Sequence, residues 1–225
     1  MIPSPMKLID CEDFETAFAA VRGSYLNGER HNTQHRQIDP DAMPARYREL
    51  LVHNNHMTSA LASHYGHPVS LRVLQEQHDD NIYSREILLT LEGSDVVVEY
   101  GVVRLDLDLL TNAAQSKILA RTAPLGDILM RHEVLRKIEP KWFVRFSAGS
   151  PLLAHFRANA NHPHENKTTT FQSTRSHRLA SSRQNRVDYP CPSHDEAFGR
   201  IGIIYCNNNP AIELLEVVVD KGNHP

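Results

Sequence analysis

Short apolar or alternating segments bounded by turn residues predict a series of β-strands along the chain. In residues 69–75, apolar side chains alternate with polar ones, as expected for a strand with one buried face. The strand segments are 69–75, 82–91, 96–105, 134–146, 199–205 and 211–219. The segment 134–146 contains one or two strands around Pro140. Short connections, such as the turns at 92–95 and 207–210, favour antiparallel pairing of successive strands.

Apolar residues at helical spacing predict short α-helices around these strands. The helical segments are 10–21, 44–53, 57–65 and 107–120, with another short helix opening at Pro124. Gly66 is expected to end the helix 57–65, because glycine readily adopts the left-handed conformation found after helices. Strands and helices together predict an α+β fold with a single antiparallel sheet of about six strands and helices at its edge and face.

One polar segment interrupts this pattern. Residues 159–190 are rich in Asn, Ser, Thr, His and Arg, and they contain few large apolar side chains. Such a segment buries too little apolar surface to offset the cost of ordering it, so we expect a mobile loop or lid. We expect an N-terminal extension with a short helix over residues 1–44, followed by one domain over residues 45–225 that includes the insertion.

Composition and charge exclude several classes of protein. The 225 residues are 40% hydrophobic, which is enough for one domain with a real core. No apolar run approaches the roughly 18 residues that span a membrane, and the N-terminus lacks the apolar region of a secretory signal. Three cysteines without CxxC spacing are typical of a reduced cytoplasmic protein. A net charge of −3 gives no reason to expect nucleic-acid binding. The expected assembly is a monomer or small homo-oligomer.

Arg85 is the strongest candidate for a binding residue. In the strand 82–91 it shares the more apolar face with Ile87 and Leu89. An arginine cannot lose its charge, and an unpaired buried charge costs several kcal/mol or more. The sequence therefore predicts that either a buried carboxylate or an anionic ligand lies against Arg85.

Glu216 is the natural counterpart of Arg85. It lies on the face of strand 211–219 that also carries Leu214 and Val218, whereas Glu213 points the other way and is the weaker candidate. Two interpretations stay open. Glu216 forms a structural salt bridge with Arg85, or desolvation raises the pKa of its carboxyl group so that it can exchange a proton near neutrality.

No metal, cofactor or nucleophile is expected. His162 and His164 lie in the polar segment rather than on the rigid supports of a metal site. Cys206 follows a strand without a clear His partner, and the sequence contains no Gly-rich phosphate loop, GxSxG or HExxH motif. His53 and His56, which flank the break between two predicted helices, fit a pocket lining and a polar surface equally well.

Four segments, in the same order, resemble motifs of the chorismate pyruvate-lyase family. They are residues 55–61 (NHMTSAL), 83–89 (YSREILL), 123–129 (APLGDIL), and Gly199-Arg200 followed by Pro210 and Glu216. Together they span about residues 45–219. The chain departs from the family pattern before Pro44 and over residues 159–190.

The resemblance implies a cofactor-independent lyase that removes the enolpyruvyl group of chorismate and yields 4-hydroxybenzoate and pyruvate. By resemblance, Arg85 would bind the ring carboxylate with help from the backbone N–H groups of Met57 and Leu125, and Glu216 would hydrogen-bond the ring hydroxyl. Met57 and Leu125 suit this role because each lies at a turn entering a helix, where N–H groups lack partners. The family's fold places its ligand under helical flaps on an antiparallel sheet, which agrees with the α+β prediction.

Three further residues are weaker candidates. Thr58 and Gly126 follow the two backbone donors, and Arg200 is either a second anion contact for the enolpyruvyl carboxylate or a surface arginine.

Two other functions stay open beside the lyase. The fold also resembles the effector-binding domains of bacterial regulators, which hold acidic or sugar ligands without reacting with them. Such domains usually follow a winged helix, and residues 1–44 are too few for one, which favours the enzyme. A relative that acts on a different cyclohexadiene acid is the third alternative.

Overall fold

A computed structural model describes residues 8–22, 34–132, 136–157 and 196–221 of the chain. Within these ranges, seven strands form one antiparallel sheet in the order β1-β5-β6-β7-β4-β3-β2. The strands are β1 His35–Gln37, β2 Val69–Asp79, β3 Ile82–Leu91, β4 Val97–Asp106, β5 Arg136–Ser147, β6 Glu196–Cys206 and β7 Asn209–Val218. The predicted α+β class with a single antiparallel sheet is confirmed.

Six α-helices accompany the sheet in the described ranges. They are α1 Phe14–Arg22, α2 Ala45–Leu51, α3 Met57–Tyr65, α4 Asn112–Leu119, α5 Leu125–Arg131 and α6 Ala154–Arg157. Gly66 follows α3 with φ 68°, the left-handed conformation expected of it. The predicted helix 107–120 is corrected: residues 107–109 form a 3-10 turn, and α4 begins after Thr111, whose hydroxyl accepts a hydrogen bond from the N–H of Ala114.

The sheet has one strand more than expected because β1 carries no apolar alternation. Its three polar residues, His-Arg-Gln, are extended because they pair with the edge of β5. Pro140 does not divide β5 in two, since a register shift between Pro140 and Trp142 accommodates it. The last hairpin turns through Asn207 and Asn208, both with positive φ (51° and 64°), as a two-residue turn between antiparallel strands requires.

Helices cover both faces of the sheet. On one face, α1 and α6 pack against the central strands, and Leu8, Phe14 and Phe18 are buried in that core. The described part of the N-terminal extension thus shares its core with the sheet, and the proposed division at residue 44 stays a prediction. Helices α2, α3, α4 and α5 cover the other face in two apolar clusters. The predicted insertion 159–190 lies outside the described residues.

Among the described residues, no helix is long and apolar enough to cross a membrane.

Candidate functional site

Polar side chains lie in adjacent rows on the face of the sheet that α2 to α5 cover. Residues paired across neighbouring strands define the rows. The rows are Arg85–Val103–Leu214, Ile87–Gly101–Glu216–Arg200 and Leu89–Glu99–Val218–Phe198. Strands lie about 4.8 Å apart and alternate residues about 6.7 Å apart, so roughly 12 Å separate the Cα atoms of Arg85 and Glu216. The two residues share a face, as predicted, with one strand between them.

Gly101 leaves the space between these side chains open. It lies on β4 between Ile87 and Glu216, and it contributes no side chain to the face. A Cβ atom at this position would lie 3.0 Å from the Cδ1 atom of Ile87 and 3.3 Å from the Oε1 atom of Glu99. Any larger residue would therefore fill the middle of the face.

A partly open cavity lies over Gly101, and its empty space, including solvent at its mouth, is about 490 Å³. The sheet forms its floor, and the first residues of α3 and α5, with the residue before each helix, form its roof. Arg85, Glu99 and Glu216 all line it. Its interior is narrow, with room for about three water molecules. A larger organic ligand would therefore need the roof to move.

The roof presents two helix starts to the cavity. Met57 begins α3 and Leu125 begins α5, and neither helix has a side-chain cap at this end. The first N–H groups of a helix have no partner inside the helix, so they can bind an anion. Gly126 lets the two helix starts touch, because a Cβ atom there would lie 3.0 Å from the Cβ atom of His56 and 3.0 Å from the Oγ1 atom of Thr58.

Arg85 is buried without a full set of partners. The residue is 1% exposed, and its Nε and Nη1 atoms have no hydrogen-bond partner among the described residues. Burial lowers the pKa of its guanidinium, while the Tyr83 hydroxyl and the Glu76 carboxylate oppose that shift. Within the described part of the chain, no ion pair joins Arg85 to Glu216. The salt-bridge interpretation of these two residues is therefore wrong, and Arg85 has two donor atoms left for a ligand.

Glu216 is paired instead with Arg200. Its Oε2 atom accepts a hydrogen bond from the Nε atom of Arg200 at 2.6 Å. Arg200 is 1% exposed, so the prediction of a surface arginine is wrong. Its other nitrogen atoms donate to the carbonyl oxygens of Leu51 (3.3 Å), His53 (2.8 Å) and Asn55 (3.1 Å). All three of its nitrogen atoms thus bind protein groups and hold the loop before α3 against the sheet. The contact of Arg200 with a substrate carboxylate stays a prediction.

Glu99 is a site residue that the sequence pattern did not single out. It is 3% exposed, and its Oε2 atom has no hydrogen-bond partner among the described residues. Burial raises the pKa of its carboxyl group well above the usual value, the negative charge of Glu216 raises it further, and Arg200 opposes the shift. The available signal is its spacing of two residues from Gly101 in a strand that begins with apolar residues, but only strand pairing shows that both lie beside Glu216.

His56 lies in the wall between this cavity and an outer groove. It precedes α3, and its Nε2 atom accepts a hydrogen bond from the Nε atom of Arg136. Burial, together with the positive charges of Arg136 and Arg200, lowers the pKa of His56 to about 4. His56 is therefore neutral at neutral pH. Of the two interpretations left open for it, the pocket lining is the one that the structure supports.

The described residues contain no group of three or more His, Cys, Asp or Glu side chains placed to hold a metal ion. His162 and His164 lie outside those residues.

A comparison with protein-family models finds no match to this sequence, and a comparison with curated proteins finds none either. Among solved structures, the gene product SA0254 from Staphylococcus aureus is 9% identical, with 67% of this chain and 82% of that chain covered and a TM-score of 0.39. PhnF from Mycobacterium smegmatis is 10% identical, with 77% and 68% covered and a TM-score of 0.42. The possible transcriptional regulator YydK from Bacillus subtilis is 7% identical, with 69% and 59% covered and a TM-score of 0.38. These similarities are distant, and the fold is established by the strand order and pairing of the sheet itself.

The buried Arg200–Glu216 pair predicts a large cost when one partner is removed. We expect Arg200→Met to lower the free energy of unfolding by about 3 kcal/mol or more, because Glu216, whose side chain is only 12% exposed, is left as an unpaired charge. The double variant Arg200→Met with Glu216→Met should recover much of that loss. Urea unfolding monitored by circular dichroism measures both effects.

The matched control is Arg145→Met, which breaks a half-exposed pair with Glu196 at 2.7 Å. It should cost less than about 1 kcal/mol. An equal cost for Arg200→Met and Arg145→Met would contradict the structural role of Arg200.

Glu99 predicts a pH-dependent stability. Because its folded-state pKa is raised above the usual 4.5, protonated Glu99 contributes stability that is fully present below that value and is lost as pH rises through the folded-state pKa. Glu99→Gln, which cannot ionise, should therefore gain in melting temperature relative to the unmutated protein between pH 5 and pH 8. Melting curves across this range test the trend, with exposed Glu92→Gln as the control. Parallel curves for Glu99→Gln and the unmutated protein would show that Glu99 ionises normally.

Proposed function

We propose that the cavity binds a small ring acid and that the protein is a cofactor-independent lyase, which removes the enolpyruvyl group of chorismate to give 4-hydroxybenzoate and pyruvate. The observation that carries the proposal is the buried guanidinium of Arg85, whose Nε and Nη1 atoms lack partners in the described structure. A charge held in this way calls for an anionic ligand. The cavity that it lines has carboxyl groups farther along the same face.

The ring carboxylate would bind at the Arg85 end. A guanidinium matches a carboxylate with two parallel hydrogen bonds, and such charged bonds are stronger than neutral ones. The N–H groups of Met57 and Leu125 at the helix starts would add donors from the roof. Thr58 and Gly126 line the same part of the cavity and shape it.

The ring hydroxyl would bind at the Glu216 end. The Oε2 atom of Glu216 is occupied by Arg200, so the Oε1 atom would accept the hydrogen bond from the hydroxyl. Because Arg200 holds the carboxylate in place, Glu216 would orient the substrate. Arg200 acts as a positioning residue through Glu216.

The reaction balances without an added reactant. The ether bond between the ring and the enolpyruvyl group breaks, and the ring carbon that bears the hydroxyl loses its hydrogen. The methylene carbon of the departing group gains a hydrogen and becomes the methyl group of pyruvate. Because the ring becomes aromatic, the protein has only to hold a reactive conformer and exclude water. A cavity closed by α3 and α5 suits both tasks.

A non-catalytic binding domain for ring acids is the second candidate. It is favoured by the groups that line the cavity. Arg85, the two helix starts and the Glu216 carboxylate, which Arg200 holds, can all bind a ligand without taking part in a reaction. The same contacts would then hold a ring acid without converting it. Turnover of chorismate separates the two functions.

Removal of the Arg85 guanidinium should abolish turnover. Purified protein mixed with chorismate should release pyruvate, measured with lactate dehydrogenase, and 4-hydroxybenzoate, measured by chromatography. Arg85→Ala should lower kcat/KM by about a hundredfold or more, because the ring carboxylate loses two charged hydrogen bonds. Arg85→Lys should retain part of the activity, since it keeps the charge but not the paired donors.

Arg145→Ala, which removes an arginine outside the cavity, serves as the control and should keep full activity. If the unmutated protein releases no pyruvate from chorismate but still binds 4-hydroxybenzoate, the lyase proposal fails and the binding domain stands.

Filling the cavity should block the ligand without unfolding the protein. Gly101→Val places a branched side chain between Ile87 and Glu216, and valine is well tolerated in strands. We expect binding of 4-hydroxybenzoate, followed by calorimetry, to fall below detection while the far-ultraviolet circular dichroism stays unchanged. Ser70→Val on β2, outside the cavity lining, is the matched control. Normal binding by Gly101→Val would rule out this cavity as the binding site.

A further inference from the structure

We propose that Glu99 is a further binding residue of the cavity and that its carboxyl group donates a hydrogen bond to the oxygen atom of the ring hydroxyl. The same hydroxyl donates a hydrogen bond to Glu216. The proposal rests on the proposed function, since it assigns a second contact to the hydroxyl end of the same ring acid. It adds a residue that the family resemblance did not supply.

The position of Glu99 places its carboxyl group beside that of Glu216. Gly101 on β4 pairs with Glu216 on β7, and Glu99 precedes Gly101 by two residues on the same face. The Oε1 atom of Glu99 lies 3.3 Å from the point where a Gly101 Cβ atom would be. The Glu99 side chain thus extends along β4 toward the row that contains Glu216, over the part of the floor that Gly101 leaves open.

The Oε2 atom of Glu99 has no protein partner within the described residues, although the residue is 3% exposed. A buried polar atom without a hydrogen bond is costly, and such atoms are rare outside functional sites. Because Glu99 lines the cavity, a polar group of the bound molecule can supply the missing partner.

The surrounding charges set the form in which Glu99 meets a ligand. The titratable or charged groups that line the cavity or lie beside it are Glu216 on β7, Arg200 on β6, Arg85 on β3 and His56 before α3. Burial and the Glu216 charge hold the pKa of Glu99 well above its usual value. Arg200 opposes this shift, but its nitrogen atoms already bind Glu216 and three carbonyl groups. This shift favours the carboxylic acid form of Glu99, which can donate a hydrogen bond.

The two carboxyl groups then have complementary roles. Ionised Glu216 can only accept hydrogen bonds, whereas protonated Glu99 can donate one. A hydroxyl group does both, so it satisfies the two residues at once. A ring acid without the hydroxyl would leave the Oε1 atom of Glu216 and the carboxyl group of Glu99 without that partner. Buried polar groups discriminate strongly against ligands that fail to pair them. The pair would therefore select ring acids that carry a hydroxyl opposite the carboxylate.

The test measures the affinities for 4-hydroxybenzoate and benzoate by calorimetry at pH 7 for the unmutated protein, Glu99→Gln and Glu99→Met. Glutamine keeps a donor at this position and methionine removes it with little change in volume. The matched control is Glu86→Met, which removes another buried carboxylate from the opposite face of the sheet, where it contacts Gln75 and His155. Melting temperatures confirm that each variant is folded.

We expect Glu99→Met to weaken 4-hydroxybenzoate binding by about tenfold and to leave benzoate binding nearly unchanged. Glu99→Gln should stay within about threefold of the unmutated protein for both acids, and Glu86→Met should leave the preference for the hydroxyl intact. Unchanged binding of 4-hydroxybenzoate by folded Glu99→Met would overturn the role of Glu99 while leaving the proposed function in place. If the unmutated protein binds neither acid, the proposed function fails and the role of Glu99 fails with it.

Discussion

The ion pair between Arg200 and Glu216 is the interaction on which the arrangement of the site depends. A buried guanidinium needs several acceptors. Arg200 finds one carboxylate on the sheet, one carbonyl oxygen at the last residue of α2 and two carbonyl oxygens in the loop between α2 and α3. The same contacts set the height of Met57 above the sheet, because Met57 follows that loop directly. One arginine thereby fixes both a floor residue and a roof residue of the cavity.

The charges left over after this pairing explain why the cavity suits an anion. Arg200 and Glu216 neutralise each other, and the pKa of His56, about 4, leaves that residue neutral at neutral pH. Burial raises the pKa of Glu99 and so favours its uncharged form. Arg85 then contributes a positive charge that has no ion-pair partner among the cavity-lining residues described. In a cavity with little water this positive charge is poorly screened, so it favours a carboxylate over a neutral ligand.

The sequence predicted those parts of the site that depend on local pattern. Alternation along one strand is enough to place Arg85 on an apolar face, and a helix that starts at Met57 and ends before Gly66 is readable from spacing and glycine. The pairing of strands that lie far apart in the sequence cannot be predicted from local pattern. The local pattern therefore leaves two interpretations open for Glu216, and its partner, Arg200, is recognised only when β6 lies beside β7.

The same reason explains the residues that were missed. Glu99 looks like any polar residue in a strand until strand pairing places it next to Glu216 on the helix-covered face. Gly101 likewise gains its meaning from the side chains on either side of it. The strand β1 has no pattern of its own, since it is extended only by pairing with β5. Each miss involves a property that arises from long-range contacts, which composition and spacing do not encode.

Access to the cavity follows from the same contacts. Its interior has room for only a few waters, so a ring acid, the proposed ligand, would need α3 and α5 to separate where Gly126 touches His56 and Thr58. The loop before α3 is held to the sheet by the hydrogen bonds of Arg200. Helix α5 is held by apolar side chains such as Ile128 and Leu129, whose contacts are non-directional. Non-directional contacts tolerate a small shift better than a buried ion pair does, so opening through α5 keeps the Arg200–Glu216 pair intact while the ligand enters.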